Sequence, residues 1–266
     1  MAHSREGGQF LAQFGSLLKG WRGTRGLSQL QLAGLADVSA RHISFLETGR
    51  ARPSRDMVLH LSEVLDVPRP ERNRLLYGAG FAALYRQEAP DSALLKPIND
   101  AITHLLSRHD PYPAIVLDGL WRLRHLNTAA SALLTVAGLS EGDSLLKAVR
   151  DPNWGPSIIE NWGEVGHHTM VRLRSESLQA GGVSELDEAV ARLAADPAIA
   201  AWRPTGPLPP VIPTIYRAGG LRLSLFSTFS QFRTAEDIVV ADLNIELMFP
   251  ADEETHDALN AFAAVS

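Results

Sequence analysis

The sequence predicts two domains, an all-α bundle of short helices followed by a larger α/β domain built on an antiparallel sheet. A length of 266 residues exceeds that of one small domain. Hydrophobic residues make up 45% of the chain and charged residues 21%, which is typical of ordered globular proteins. We predict an N-terminal domain over residues 1–80, a linker over residues 81–95 with a turn signal at Pro90-Asp91-Ser92, and a second domain over residues 96–266.

Charge is distributed unevenly along the chain, whose net charge is −5 at pH 7. Residues 1–80 contain 11 Lys or Arg and 7 Asp or Glu, a charge of +4, whereas the remainder contains 14 and 23, a charge of −9. A basic domain joined to an acidic one is the pattern expected when a nucleic-acid-binding domain is fused to a domain with another role.

Cysteine usage and hydropathy bear on the location of the protein. The chain has no cysteine, which excludes disulfides and thiol catalysis and favours a reducing cytoplasm. The first residues lack an apolar signal core, and no stretch approaches the roughly 18 apolar residues of a membrane span. We therefore expect a cytoplasmic protein that is neither exported nor membrane-bound.

Helical spacing of apolar residues begins at Phe10, and two short helices follow the first. Ser28 and Ser39 each place a hydroxyl just before a helical pattern, where it can cap the first turn. Only Asp37 and Val38 separate these two helices, the separation that steeply crossing helices need. Asp37 occupies the turn position where backbone φ tends to be positive, which aspartate tolerates. The residues expected to pack at the crossing are Leu32, Ala33, Val38, Ile43 and Leu46.

The segment from Phe10 to Val67 carries a set of paired residues at characteristic positions. They are Ser28-Gln29, Leu32-Ala33, Val38-Ser39, Ile43-Ser44, Leu46-Glu47, Gly49-Arg50 and Pro53-Ser54. With these residues the segment resembles the XRE-type, lambda-repressor-like helix-turn-helix, and Asp37 in place of the usual glycine is its one departure. The resemblance implies a bundle of about five helices, the fourth starting at Pro53-Ser54 and the fifth at Pro70, and it implies sequence-specific binding to double-stranded DNA.

In such a domain the recognition helix would begin at Ser39 and lie in the major groove with its N-terminal residues at the base edges. Arginine can pair with guanine and alanine can meet a thymine methyl group. The predicted base contacts are Ala40, Arg41 and Ser44. The predicted phosphate contacts are Gln29, Ser39, Arg50 and Arg52. For each arginine a solvated surface charge is the alternative. Because one short helix buries too little surface for tight binding, we expect a homodimer.

The second domain is predicted to alternate helices and hairpins. The predicted helices are 97–108, Thr128–Val136, 162–178 and 184–195. The predicted strands are 114–117, 120–127, 221–232 and Asn244–Phe249, the first two joined by a two-residue turn at Asp118-Gly119. The segments around Leu145-Leu146 and 154–162 are expected to be rich in loops. Two pairs of strands with helices between them favour a PAS-like α/β sensor fold.

A second set of motifs runs through this domain. It consists of the string from Asp110 to Asp118, Trp121, Asn127-Thr128-Ala129-Ala130, Asn161-Trp162, Arg174-Ser-Glu176 and Leu225-Phe-Ser-Thr228. With these motifs the chain from about Pro97 to Leu259 resembles the ligand-binding domain of MmyB-like transcription regulators. The resemblance implies a PAS-like fold that encloses a long apolar ligand, a fatty acid being the example.

The ligand is predicted to contact apolar residues from separate elements and a polar group at its head. The apolar candidates are Trp121, Leu134, Trp162, Met170, Leu173, Leu225 and Phe229. The candidates for binding a carboxylate are His168, Arg172 and Arg174, with Asn127 in addition. An ordinary core is the alternative for the apolar residues, and a solvated helix face is the alternative for the polar ones.

Two other classes of function have some basis in the sequence. The strongest candidates for catalytic residues are His167 and His168 with nearby glutamates. Adjacent residues of a helix point about 100° apart, however, so these two histidines cannot bind one metal ion as an i, i+4 pair can. No phosphate loop, dinucleotide-binding glycine motif, nucleophile elbow or metalloprotease motif is present in the sequence. We therefore expect no enzymatic activity and no required cofactor or metal. The remaining alternative is a second domain that only dimerises the protein or binds another protein.

Overall fold

The structure, a computed structural model, describes residues 2–89, 92–204, 206–207, 209–218, 220–232 and 235–264, with the backbone alone for residues 2–10 and for residue 218. Pro90 and Asp91 of the predicted linker turn lie outside the described residues. The chain forms two compact units, one mainly of the residues up to Gln87 and the other mainly of those from Glu88 onward. The exact domain and linker bounds stay predictions. No helix in the described ranges is long and apolar enough to cross a membrane.

Helices alone build the described part of the first unit. They are α1 (Ala2–Thr24), α2 (Gln29–Leu35), α3 (Ala40–Glu47), α4 (Arg55–Val64) and α5 (Arg69–Gly78). Ser28, Ser39 and Ser54 each cap the following helix by accepting a hydrogen bond from a backbone amide in its first turn. Asp37 has the positive φ expected of it, 51°. The all-α bundle is confirmed, although α1 begins at Ala2 and not at Phe10.

A close approach of α1 to α3 organises the core of this bundle. The most deeply buried side chains are Phe14, Leu18, Leu32, Ile43, Leu46, Leu61, Leu65, Leu75 and Leu76. Between Phe14 and Leu18, Gly15 lies directly against the end of α3. A Cβ atom added at Gly15 would be only 2.7 Å from the carbonyl oxygen of Leu46. The sequence reading missed this residue because an isolated glycine inside a helix has no periodic signature.

The second unit combines nine helices and five strands in its described residues. The helices are α6 (Lys96–His109), α7 (Thr128–Val136), α8 (Leu145–Arg150), α9 (Trp154–Ile158), α10 (Trp162–Gln179), α11 (Ser184–Ala194), α12 (Pro197–Ala201), α13 (Ile238–Ala241) and α14 (Glu253–Ala263). The strands are β1 (Ala114–Leu117), β2 (Leu123–Leu126), β3 (Thr214–Ala218), β4 (Leu221–Gln231) and β5 (Asn244–Pro250).

The five strands form one antiparallel sheet in the order β2-β1-β5-β4-β3, which confirms the predicted α/β class. On one face α6 packs against the sheet, with Ile102 and Leu106 against Val116 and Ile245. On the other face the core contains Ile115, Leu123, Leu133, Leu134, Leu225 and Met248. The central strand β5 is therefore covered on both faces.

The predicted two-residue turn at Asp118-Gly119 is wrong. Leu117 pairs with Leu123, so five residues connect β1 to β2. The Asp118 carboxylate accepts hydrogen bonds from the backbone amides of Leu120 and Arg122 at 2.9 and 3.0 Å, which stabilises the wider loop. Trp121 adopts a φ of 54° within this loop and is buried. The burial of Trp121 therefore outweighs the preference of Asp118-Gly119 for a two-residue turn.

The segments expected to be rich in loops contain α8 and α9, and the sequence reading also missed β3, α12 and α14. Helix α8 is only six residues long, and it buries Leu146 and Val149 alone, which is too short a pattern to show helical periodicity. Strand β3 begins directly after Pro213, in a segment rich in proline. Because proline is disfavoured within strands, the local sequence contained no indication of a strand there. Helix α14 is capped by Asp252, whose carboxylate accepts from the Thr255 amide at 2.8 Å.

We expect Gly15→Ala to destabilise the first unit by roughly 2 kcal/mol, because the new methyl group has no room against the α3 backbone. Gly20→Ala is the matched control on the same helix, since nothing lies within 4 Å of a Cβ atom there. Better helix propensity should stabilise that variant by up to about 1 kcal/mol. Hydrogen exchange of the α1 and α3 amides in the full chain measures both. Equal protection in the two variants would contradict the packing argument.

Candidate DNA-binding surface and ligand cavity

The N-terminal end of α3 exposes the residues predicted to read DNA bases. The Ser39 hydroxyl accepts a hydrogen bond from the His42 amide at 3.1 Å, which fixes the start of the helix. Arg41 is exposed, and its guanidinium carbon lies 5.1 Å from the centre of the Phe45 ring. Ala40 and Ser44 are half-buried beside it. This end of α3 thus presents a guanidinium, a hydroxyl and a methyl group, which are chemistries that recognise base edges.

The residues predicted to contact phosphates have different surroundings. Ser39, Arg50 and Arg52 are exposed. Gln29 is half-buried, and its side-chain amide donates to the Glu47 carboxylate at 2.7 Å. Gln29 therefore has a structural partner within the bundle that the sequence reading did not foresee. Whether these four residues contact phosphates stays a prediction.

One buried carboxylate connects α1, α2 and α3. The Glu47 side chain is only 2% exposed, and Arg22 donates to both of its oxygens, from Nε at 2.6 Å and from Nη2 at 3.0 Å. Burial opposes the ionisation of Glu47, but the hydrogen bonds from Arg22 and Gln29 outweigh it, and its pKa lies below the ordinary value. The hydrogen bond to Glu47 also raises the pKa of Arg22.

The Arg22–Glu47 pair fixes the orientation of the recognition helix, because Glu47 is the last residue of α3 and Arg22 belongs to α1. A further donor of Arg22, Nη1, binds the carbonyl oxygen of Leu27 at 2.7 Å, just before α2. The sequence reading missed this pair because the partners are far apart along the chain.

The second unit has a partly open cavity of about 430 Å³ between the sheet and helices α7 to α10. Most of its wall is apolar, with Ile115, Trp154, Ile159 and Met248 among the side chains that line it. Six of the predicted ligand-binding residues also line it: Trp121, Leu134, Trp162, His168, Arg172 and Phe229.

The other five predicted ligand-binding residues are not in the cavity wall. Leu173 and Leu225 are fully packed core side chains, with 0% and 1% of their surfaces exposed. Met170 is half-buried against the helical core, and Arg174 is exposed on α10. The helical pattern identified α10 as a lining helix but did not identify which of its faces turns toward the sheet.

Asn127 has a structural role in the hydrogen bonding of the backbone. Its Oδ1 accepts from the amides of Ala114 and Ala130 at 2.9 and 3.0 Å, so that it caps α7 and closes the end of β1. Its Nδ2 donates to the carbonyl oxygens of Tyr112 and Leu106. The prediction that Asn127 contacts the ligand has no support in this geometry, because the side chain is buried and both of its polar atoms bind the backbone.

Arg172 lies at the polar end of the cavity, where several side chains contact it. Its Nε donates to Glu176 Oε1 at 2.7 Å, and Trp121 Nε1 donates to the other oxygen of Glu176, also at 2.7 Å. The guanidinium carbon lies 4.6 Å from the centre of a Trp121 ring and 4.0 Å from the centre of the Phe229 ring. This packing leaves both Nη groups without a hydrogen-bond partner in the described part of the chain. A guanidinium arranged in this way can bind an anion.

Glu246 is the functional candidate that sequence reasoning missed. It lies on β5 directly opposite Phe229 of β4 and lines the cavity. Ser227 donates to its Oε1 at 2.5 Å. Burial raises the pKa of Glu246, although the Ser227 hydrogen bond and the charge of Arg172 oppose that shift. Apolar residues alternate along β5 at Ile245, Leu247 and Phe249, and this pattern cannot show that both faces of a central strand are covered.

The histidines considered for catalysis pack against an aromatic ring. The centres of the His167 and His168 rings lie 4.7 and 5.3 Å from that of Trp202. His168 Nε2 is buried without a hydrogen-bond partner among the described residues, and burial followed by the charge of His167 lowers its pKa. In the described ranges no three His, Asp or Glu side chains group so as to hold a metal ion.

A helix-turn-helix bundle combined with an α/β domain around an apolar cavity defines a DNA-binding regulator with a ligand-binding domain. Residues 98–262, more than half of the chain, match the family described as MmyB-like transcription regulator ligand binding domain. The chain belongs to this family. Residues 13–75 match a helix-turn-helix domain family. The protein is therefore a transcription regulator with one domain for DNA and one for a ligand.

A curated protein of Methanocaldococcus jannaschii is similar over a shorter stretch. It is 41% identical over 68 residues, which are 26% of this chain and 21% of that protein, and it has the provisional description of an HTH-type transcriptional regulatory protein. The chain thus spans about a fifth of that relative's length. The similarity supports only the assignment to the helix-turn-helix regulators.

We expect Glu47→Ala to destabilise the first unit by about 3 kcal/mol, because Arg22 would keep a largely buried charge without its partner. Glu63→Ala is the control, since Glu63 is 65% exposed and 4.0 Å from Arg72, and it should cost at most about 1 kcal/mol. Folding lowers the pKa of Glu47, so the ionised carboxylate stabilises the folded first unit. This stabilisation is fully present above the ordinary pKa of glutamate and is lost as the pH falls through the folded-state pKa. Hydrogen exchange of α3 amides from pH 7 down to pH 3 measures both effects, and equal losses in the two variants would contradict them.

Proposed function

We propose that the protein binds a specific DNA site through the N-terminal end of α3, lying in the major groove. Ala40, Arg41 and Ser44 contact bases, and Arg41 is the principal reader. The observation that supports this most directly is the exposed Arg41 guanidinium against Phe45, on a helix that the Arg22–Glu47 pair holds in place. An arginine of restricted mobility loses less side-chain entropy when it pairs with guanine.

Phosphate contacts from Gln29, Ser39, Arg50 and Arg52 supply affinity and register. Two copies of the chain bind a near-palindrome with half-sites about 10 base pairs apart, because helix-turn-helix proteins double a small contact area by dimerising. Neither domain has enzymatic activity in this proposal.

The second domain senses an elongated, mostly apolar molecule, with a fatty acid as the leading example. A volume of about 430 Å³ falls within the range of small-molecule sites, and a mostly apolar wall with a few polar groups is their usual composition. A domain that only dimerised the protein or bound another protein would have no need of such a cavity. Arg172 binds the carboxylate, since its Nη groups are not used by the protein's described side chains.

Arg41→Ala and Ser44→Ala should each weaken specific binding by roughly 1–3 kcal/mol and relax base preference, because each removes a contact to a base edge. Arg50→Ala should weaken binding to all duplexes alike and lower the salt dependence. Arg74→Ala, an exposed arginine paired with Glu71 on α5, is the control and should change neither. Titrations of selected and scrambled duplexes at several salt concentrations measure these effects. An unchanged footprint and affinity for Arg41→Ala would remove it from the base contacts.

Acyl acids of ten to sixteen carbons should bind the purified protein and change its affinity for DNA. A differential affinity of about 1.4 kcal/mol between two states gives a tenfold change. Arg172→Gln should weaken acid binding about tenfold or more, because a charge-assisted hydrogen bond is lost. Arg174→Gln is the matched control on the exposed side of α10. Calorimetry followed by DNA titration with and without the acid tests both steps. Equal DNA affinity in the two titrations would show that the bound acid does not regulate DNA binding. If no acid binds, the alternative is favoured, in which the second domain only dimerises the protein or binds another protein.

A further inference from the structure

The polar end of the cavity contains more negative than positive charge. Arg172 already pairs with Glu176 through Nε. Glu246 lines the same cavity from the sheet, and its cross-strand neighbour Phe229 packs against the Arg172 guanidinium carbon at 4.0 Å. With both carboxylates ionised, this end has a net charge of −1 before any ligand arrives. A carboxylate ligand at Arg172 would add a third negative charge in surroundings where unpaired charge is costly.

The two glutamates are held differently, and this decides which of them can take a proton. Glu176 accepts from Arg172 through Oε1 and from the Trp121 indole through Oε2, so both of its oxygens already have donors. Glu246 accepts from the Ser227 hydroxyl through Oε1, and its Oε2 has no hydrogen-bond partner among the described residues. Glu246 also lies at the centre of the sheet, between Ile115 of β1 and Phe229 of β4. A proton added at this end is therefore held on Glu246.

The other titratable groups around Glu246 are few in the described ranges. From β3, Tyr216 lies close enough that the charge of Glu246 helps to raise the pKa of its phenol, after burial, so the phenol stays neutral. Arg217 also lines the cavity, but its side chain is 59% exposed and paired with Glu160. His168 lines the wall on α10, one turn before Arg172. Of these groups, His168 alone could also change charge near neutral pH.

We propose that Glu246 determines which head group the cavity accepts: an acyl carboxylate binds at Arg172 together with one proton, which Glu246 holds and shares with the ligand. This inference rests on the proposed binding of an apolar acid in the same cavity. The ligand enters as the carboxylate, the proton comes from solvent, and the bound state contains a neutral carboxyl beside a carboxylate. Two carboxylates that share one proton are the usual solution when like charges meet in a site. A neutral head group such as an alcohol needs no proton.

Decanoic acid and decan-1-ol test this on the full-length protein by calorimetry between pH 6.5 and 8.5. For the wild type, affinity for the acid should fall toward tenfold per pH unit, as expected for uptake of one proton. Titrations in phosphate and in Tris, which differ in ionisation enthalpy, should show that uptake directly. Affinity for the alcohol should not change with pH.

Glu246→Gln should bind the acid with the same affinity at each pH, without proton uptake, and more tightly than the wild type at pH 8.5. Glutamine keeps an acceptor for Ser227 and offers an amide donor to the ligand carboxylate. Unchanged binding of the alcohol shows that this variant keeps its cavity. Glu254→Gln, at an exposed position on α14, is the matched control and should behave as the wild type.

Four outcomes would overturn the inference. Acid binding by the wild type that does not depend on pH would show that no proton is taken up. A pH dependence that persists in Glu246→Gln and disappears in His168→Asn would assign the proton to the histidine. If neither the acid nor the alcohol binds, the proposed sensing of apolar ligands fails, and this inference fails with it. Binding of the alcohol alone would reject the acid while leaving the apolar sensor in place.

Discussion

The Arg22–Glu47 ion pair is the interaction on which the DNA-binding surface depends. A charged pair in a small helical bundle carries a desolvation cost, and it stabilises only if its hydrogen bonds are well formed. Here Arg22 makes two bonds to the carboxylate and Gln29 supplies a third. The end of α3 is thereby fixed to α1 and α2, and Gly15 allows the helices to approach closely enough for this to happen. These buried contacts therefore set the orientation of the exposed N-terminal end of α3.

The central strand β5 has the corresponding role in the second domain. Because α6 covers one face of the sheet, Ile245 can be buried there while Glu246 and Met248 face the cavity on the other side. The cavity therefore has an apolar body and one polar end, made from a sheet glutamate and a helix arginine that the chain places far apart in sequence. At this end Arg172 pairs with Glu176 and lines the same cavity as Glu246.

Most of the secondary structure and the class of both domains could be predicted from local patterns. Serine caps at Ser28, Ser39 and Ser54 mark helix starts because the capping oxygen and its amide are only a few residues apart. The turn after β1 was predicted wrongly because burial of Trp121 decides its shape, and that contact is not local. Six of the eleven residues predicted to bind the ligand line the cavity, since periodicity identifies apolar faces but cannot tell a cavity wall from a closed core such as Leu225.

The sequence by itself determined that this protein has a helix-turn-helix domain with basic surroundings and a separate α/β domain, because caps, turns and periodic apolar residues act over short distances. It determined Arg41 as a candidate reader for the same reason. The tertiary structure alone decided that Glu47 is buried on Arg22, that Asn127 binds the backbone, and that Glu246 and Arg172 line the same cavity. Those relations depend on which faces of distant helices and strands come together, and long-range packing selects among faces that the local pattern leaves equivalent.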